Sequence, residues 1–133
     1  MDRAWPASKG EAIHTSTYLG HPVGCAMAMA QIKELKEKKL ITQTRRLGEK
    51  FQKLCQSYPI EGARYVGRGL MAGLAFDASE GPRVISAVKA MLQRGYILLP
   101  AGEHGQVTAF SPPLTITEKQ LERTLSTLQK VMS

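Results

Sequence analysis

The residues most able to do chemistry in this 133-residue chain lie in one short stretch, His14-Thr-Ser-Thr-Tyr-Leu-Gly-His21-Pro22. Thr15, Ser16 and Thr17 put three hydroxyls in a row ahead of Gly20 and a helix start. Hydroxyls and unpaired backbone N–H groups converge at such a place, and the helix dipole adds partial positive charge, so it suits an anion such as a phosphate. The bland alternative is a polar loop that caps its own helix. His14 and His21 lie seven apart with no third ligand near in sequence, so a metal site is not expected. Cys25 and Cys55 show no CxxC pairing, and each falls among helix-spaced apolar residues. Both read as reduced thiols in the core.

These residues need elements to hold them. The first twenty mix Pro, Ser, Gly and Thr without sustained periodicity and read as an arm. Pro22 fits a first helical position, with Val23, Ala26, Met27 and Ala30 following at spacings of three and four. The helical region pauses near Leu40 to Thr42, whether as one bent helix or two, and resumes with Leu47, Phe51, Leu54, Cys55 and Tyr58 on one face until Pro59. Alternation over Leu70 to Phe76 predicts a strand. A helix over about Pro82 to Arg94 follows, with a Val84, Val88, Met91, Leu92 stripe and Gly95 as its left-handed stop. Tyr96 to Leu99 and Val107 to Phe110 read as a short antiparallel pair, closed off by Pro112-Pro113. The last helix is the best specified, with Thr117 as cap, Gln120 as capping-box partner, and Leu121, Leu125, Leu128 and Met132 on one face. The expected architecture is α+β: a long N-terminal helical region, then a small antiparallel sheet of about three strands covered by helices. The segments are an arm over 1–21, a helical region over 22–58 and a small domain over 59–133.

Composition narrows the class. Apolar residues at 43% and charged residues at 22% are ordinary for a globular protein. No apolar run approaches the roughly 20 residues of a membrane span, and the start lacks a signal peptide's pattern, so a cytosolic location is the default expectation. The formal charge of +7 raises nucleic acid as a partner. The densest basic run, Lys33 to Lys39, is interspersed with glutamates and offers no aromatic surface for a base, so a solvated helix face explains it better.

Three ordered motifs resemble class III aminotransferases, the family of ornithine, acetylornithine and 4-aminobutyrate transaminases. They are His14-Thr15-Ser16-Thr17-Tyr18 followed by Gly20, Pro22 and CAMAMA; Gly67-Arg68-Gly69-Leu70-Met71-Ala72-Gly73; and Phe110-Ser111-Pro112-Pro113-Leu114-Thr115-Ile116-Thr117. The resemblance implies a fold type I enzyme, normally a homodimer, that uses pyridoxal 5'-phosphate bound to a lysine and moves an amino group from donor to keto acid. It implies that Thr17 reaches the cofactor phosphate of the neighbouring subunit, with Ser16 lining the same pocket, and that this chain supplies the small C-terminal domain. The family's Schiff-base lysine lies upstream of the threonine motif. Lys9 is too close to Thr17 to match it, so no catalytic residue is assigned and the chain by itself is expected to be inactive. The large lysine-bearing domain would be a separate part of the enzyme. Ala109 stands where many members carry an arginine for the substrate carboxylate, which leaves either another group such as Arg68 in that role or substrates without a carboxylate there. Leu19 and His21 stand where glycine and asparagine are usual. Two rival readings are a stand-alone interaction or regulatory module derived from this domain and a small basic nucleic-acid-binding protein.

Overall fold

The structure, a computed structural model, describes residues 20–133. The order of elements is α1 (Pro22–Glu37), α2 (Leu40–Ser57), β1 (Arg64–Arg68), β2 (Met71–Ala75), α3 (Gly81–Gln93), β3 (Leu99–Ala101), β4 (Val107–Phe110) and α4 (Glu118–Met132), with a single 3-10 turn at Ala78–Glu80 before α3. The sheet is antiparallel in the order β1-β2-β4-β3. The fold is the expected α+β arrangement, with four strands where about three were expected.

The helical region is two helices. The break falls at Lys38 and Lys39, where Lys39 adopts a left-handed φ of 49°. This is earlier than the Leu40 to Thr42 pause read from the sequence, because Leu40 is buried and opens the inner face of α2. Lysines tolerate the exposed break, and Lys38 is tied back to Glu34 at 2.6 Å.

The unexpected strand is β1, whose arginines at both ends and Gly67 hide its alternation. The strand read at Tyr96 to Leu99 is instead Leu99–Ala101, with Tyr96 to Leu98 leading into it. β3 is an edge strand, so Pro100, paired opposite Thr108, can be accommodated without a backbone N–H.

One face of the sheet is the core. Ala72, Leu74, Phe76 and Phe110 join Phe51 of α2, Val84, Ala87 and Met91 of α3, and Leu121, Leu125, Leu128 and Met132 of α4 in one cluster. In the α3 stripe, Leu92 turns out exposed and Ala87 takes its place inward. Gly95 ends this helix region with a φ of 82°, as its position predicts. The capping box of α4 is formed in both directions: the Gln120 N–H donates to Thr117 Oγ1 at 3.3 Å and the Thr117 N–H donates to Gln120 Oε1 at 2.9 Å.

Helix α2 lies directly on the β1–β2 turn because both backbones are bare there. A Cβ on Gly48 would sit 2.4 Å from the Cα and 2.8 Å from the carbonyl oxygen of Gly69. Those are main-chain atoms that cannot swing away. Helix propensity alone favours alanine over glycine by about 1 kcal/mol, whereas overpacking a close contact costs about 1 to 3 kcal/mol or more. Gly48→Ala is therefore expected to destabilise the chain in urea unfolding. A variant more stable than the wild type would show that the close approach does not govern this position.

Candidate functional site

Ser16 and Thr17, the residues assigned to the cofactor phosphate, lie outside the described residues, as do His14, Lys9 and Leu19. The described chain begins at the end of that loop. Gly20 has a φ of 64°, and His21 is the N-cap of α1, its Nδ1 accepting from the Gly24 N–H at 3.4 Å, with Pro22 at the head of the helix. The first turn carries no acidic side chain. Among the described residues the positive end of α1 is met by an imidazole and by no carboxylate, a chemistry that suits an anion such as a phosphate.

Helix α1 buries none of its residues. Val23, Met27, Met29 and Ile32 are all more than half exposed, and Cys25 is exposed too, so it is not the core thiol its spacing suggested. The helical spacing was sound, but among the described residues nothing covers that side of α1.

The second candidate surface is the other face of the sheet. Strand alternation sends Gly73, Ala75, Val107, Ala109, Leu99 and Val66 to the side away from the core cluster. Val107 and Val66 lean over Gly73, where an added Cβ would come within 2.8 Å of Val107 Cγ1 and 3.4 Å of Val66 Cγ2. Ala109 sits between Gly73 and Leu99 in register and is half-buried, while Leu99 is 62% exposed. Small residues occupy its middle, and the register also sends Met71, Arg64 and Arg68 to this face. Arg64 and Arg68 lie on the edge strand β1, and the structure places Arg68 on a cleft shared with Arg45, Thr44 and Gly48.

Other reactive groups have structural explanations. Burial pushes the Cys55 thiol up to about 11 from 9.0, which removes it as a nucleophile at neutral pH. Burial also raises Tyr65, and the hydrogen bond from Tyr58 to Glu122 at 3.0 Å raises Tyr58. Thr108 is wholly buried and its hydroxyl finds no hydrogen-bond partner among the described residues, which marks a cost in the core. No group of three or more His, Cys, Asp or Glu side chains placed to hold a metal occurs among the described residues. No helix among them is long and apolar enough to cross a membrane.

Comparison with known proteins agrees with the arrangement. The sequence matches the family described as Aminotransferase class-III over residues 2–132, and the chain belongs to the class III aminotransferase family. It is 35% identical over 125 residues to an ornithine aminotransferase of Schizosaccharomyces pombe, covering 90% of this chain and 28% of that protein. It is 36% identical over 126 residues to an acetylornithine aminotransferase of Haemophilus ducreyi, covering 95% of this chain and 30% of that one. The structure superposes on the acetylornithine aminotransferase of Elizabethkingia anophelis with a TM-score of 0.75 at 25% identity, over 92% of this chain and 32% of that one. It also superposes on the ornithine delta-aminotransferase of Plasmodium falciparum with a TM-score of 0.74 at 27% identity, over 95% and 32%. The chain thus spans 28% to 30% of the length of these two curated relatives.

The two thiols differ measurably. Because the folded-state pKa of Cys55 lies above the 9.0 of an unburied thiol, the unfolded chain ionises first as pH rises. Its contribution to stability is therefore complete below about pH 9 and is lost on going from there toward 11. Brief alkylation with iodoacetamide at pH 8 is expected to label exposed Cys25 and spare Cys55, read by peptide mass mapping. Equal labelling of both would show that Cys55 is not protected as described.

Proposed function

We propose that these residues form the small C-terminal domain and the phosphate-contacting loop of a pyridoxal-phosphate-dependent transaminase. The reaction moves an amino group from an amino acid or amine to a keto acid. The observation that carries the reading is the family match along residues 2–132, supported by a fold shared with acetylornithine and ornithine aminotransferases.

When bound, pyridoxal phosphate supplies a reactive aldehyde and an electron-withdrawing ring for amino transfer. This chain's own part is positional. Thr17 and Ser16 would hold the phosphate through their hydroxyls, shortly before α1, whose first turn brings no competing carboxylate. In a homodimer the loop serves the neighbouring subunit's cofactor. The lysine that binds the cofactor belongs to a part of the enzyme outside these 133 residues, and the helical region over 22–58 joins that part to the small domain. The exposed apolar side chains of α1 supply a surface for it.

Mixing the chain with pyridoxal phosphate, reducing with borohydride and mapping peptides is expected to yield no stoichiometric adduct at any one lysine. A single lysine labelled to completion would place the reactive lysine in this chain and overturn that part of the reading.

Ala109 bears on the substrate. A methyl group between Gly73 and Leu99 cannot grip a carboxylate, and its surroundings on that face are apolar. A substrate amine without a carboxylate at this point fits it directly. An α-amino acid needs a cation from elsewhere, such as Arg68. In the complete enzyme, Ala109→Arg is expected to improve kcat/KM for α-amino acids about tenfold relative to simple amines, the scale of one charge-assisted pair. An unchanged ratio would show that position 109 does not meet the substrate.

A further inference from the structure

A recess of about 590 Å³ opens where residues 94–98 at the end of α3, the Ser111–Ile116 segment and the first turns of α4 come together. Its volume is in the range that holds a small organic ligand. Its floor is the core itself, since Leu98, Phe110 and Leu121 are almost wholly buried. Pro112 and Pro113 give one wall a fixed backbone. These surfaces are held by the packing of three elements, so the recess is preformed.

The charged groups on the lining are Arg94 and Arg123, and among the described residues no carboxylate side chain lines it. Neither arginine forms an ion pair among the described residues. Arg94 Nη1 donates to the carbonyl of Ala90 at 2.9 Å, which steadies the side chain and leaves its other N–H groups available. Three of the remaining polar side chains are engaged, and Ser111 adds a hydroxyl to the lining. The Thr124 hydroxyl donates to the Gln120 carbonyl at 2.8 Å, Tyr96 accepts from Thr127 at 3.4 Å, and Gln120 is committed to the capping box. A recess with an apolar floor, two guanidinium groups outside any ion pair among the described residues and no acid among its described lining suits a ligand with an apolar body and one negative head.

We propose that this recess binds a small apolar carboxylate, with its ring or chain on Phe110 and the Pro112-Pro113 wall and its carboxylate held by Arg94 and Arg123. The inference needs neither the cofactor nor the rest of the enzyme, so it can fail without touching the transaminase reading.

The test is calorimetric titration of the full chain with 3-phenylpropanoate, with 3-phenylpropanamide and inorganic phosphate as comparison probes at constant ionic strength. Saturable binding of the acid is expected, at least about tenfold tighter than the amide, with phosphate weaker still. The double variant Arg94→Gln, Arg123→Gln is expected to lose about tenfold or more in affinity. Arg45→Gln, on α2 away from the recess, should bind as the wild type does. Both arginines are exposed, and unchanged circular dichroism melting would confirm that the variants are folded. Equal binding of acid and amide, undiminished binding by the double variant, phosphate binding as tight as the acid, or no saturable binding would each overturn the proposal.

Discussion

The ring of Phe51 stands edge-on to Phe110 at 5.2 Å and to Tyr65 at 6.4 Å, with no surface of its own exposed. Through it α2 holds an inner strand and the edge strand β1 together. This geometry requires α2 to lie close to the hairpin, and the Gly48 to Gly69 approach permits that. Once α2 is fixed, α4 has a partner to pack against. Lys50 reaches Glu118, Tyr58 reaches Glu122, and Gln129 donates to the Pro59 carbonyl at 2.8 Å, so polar links fasten the two helices along their length. The exposed ion pairs contribute little alone. Most of the stability comes from the apolar cluster they surround.

Sequence patterns were most informative where one residue set carried one message. In α4 the cap, the capping-box partner and the apolar stripe agree, and all four stripe residues are buried. In β1 the messages conflict, because arginines at both ends and a glycine at φ 119° obscure a half-buried edge strand. In β3 Pro100 lacks a backbone N–H for the ladder, and the edge position in the sheet makes it acceptable. Edge status is a property of topology, which local periodicity does not contain.

The candidate site was legible to a different degree. Clustered hydroxyls ahead of a helix start pointed to a segment suited to an anion, and only the resemblance of three ordered motifs connected it with a cofactor phosphate. The position of Ala109 on the face away from the core follows from strand alternation once the register with Gly73 and Leu99 is known. The pairing of Arg94 with Arg123 on one recess had no sequence signal. They lie in different helical regions, and only the packing of α4 against the end of α3 brings both to it.

The contrast between α1 and the rest then has a physical meaning. The sheet and helices α2 to α4 share a closed core, whereas α1 contributes nothing to it. Its apolar side chains at 23, 27, 29 and 32 fall around much of its circumference instead of forming one stripe, the pattern of a helix enclosed by protein. A helix of this kind gains little from its own sequence in water, since most helical stability comes from tertiary packing. The small residues of CAMAMA permit close approach by whatever encloses it. The sheet face carrying Ala109 exposes apolar side chains too, at Met71 and Leu99. Exposed apolar side chains on α1 and on this face are surfaces suited to packing against further protein.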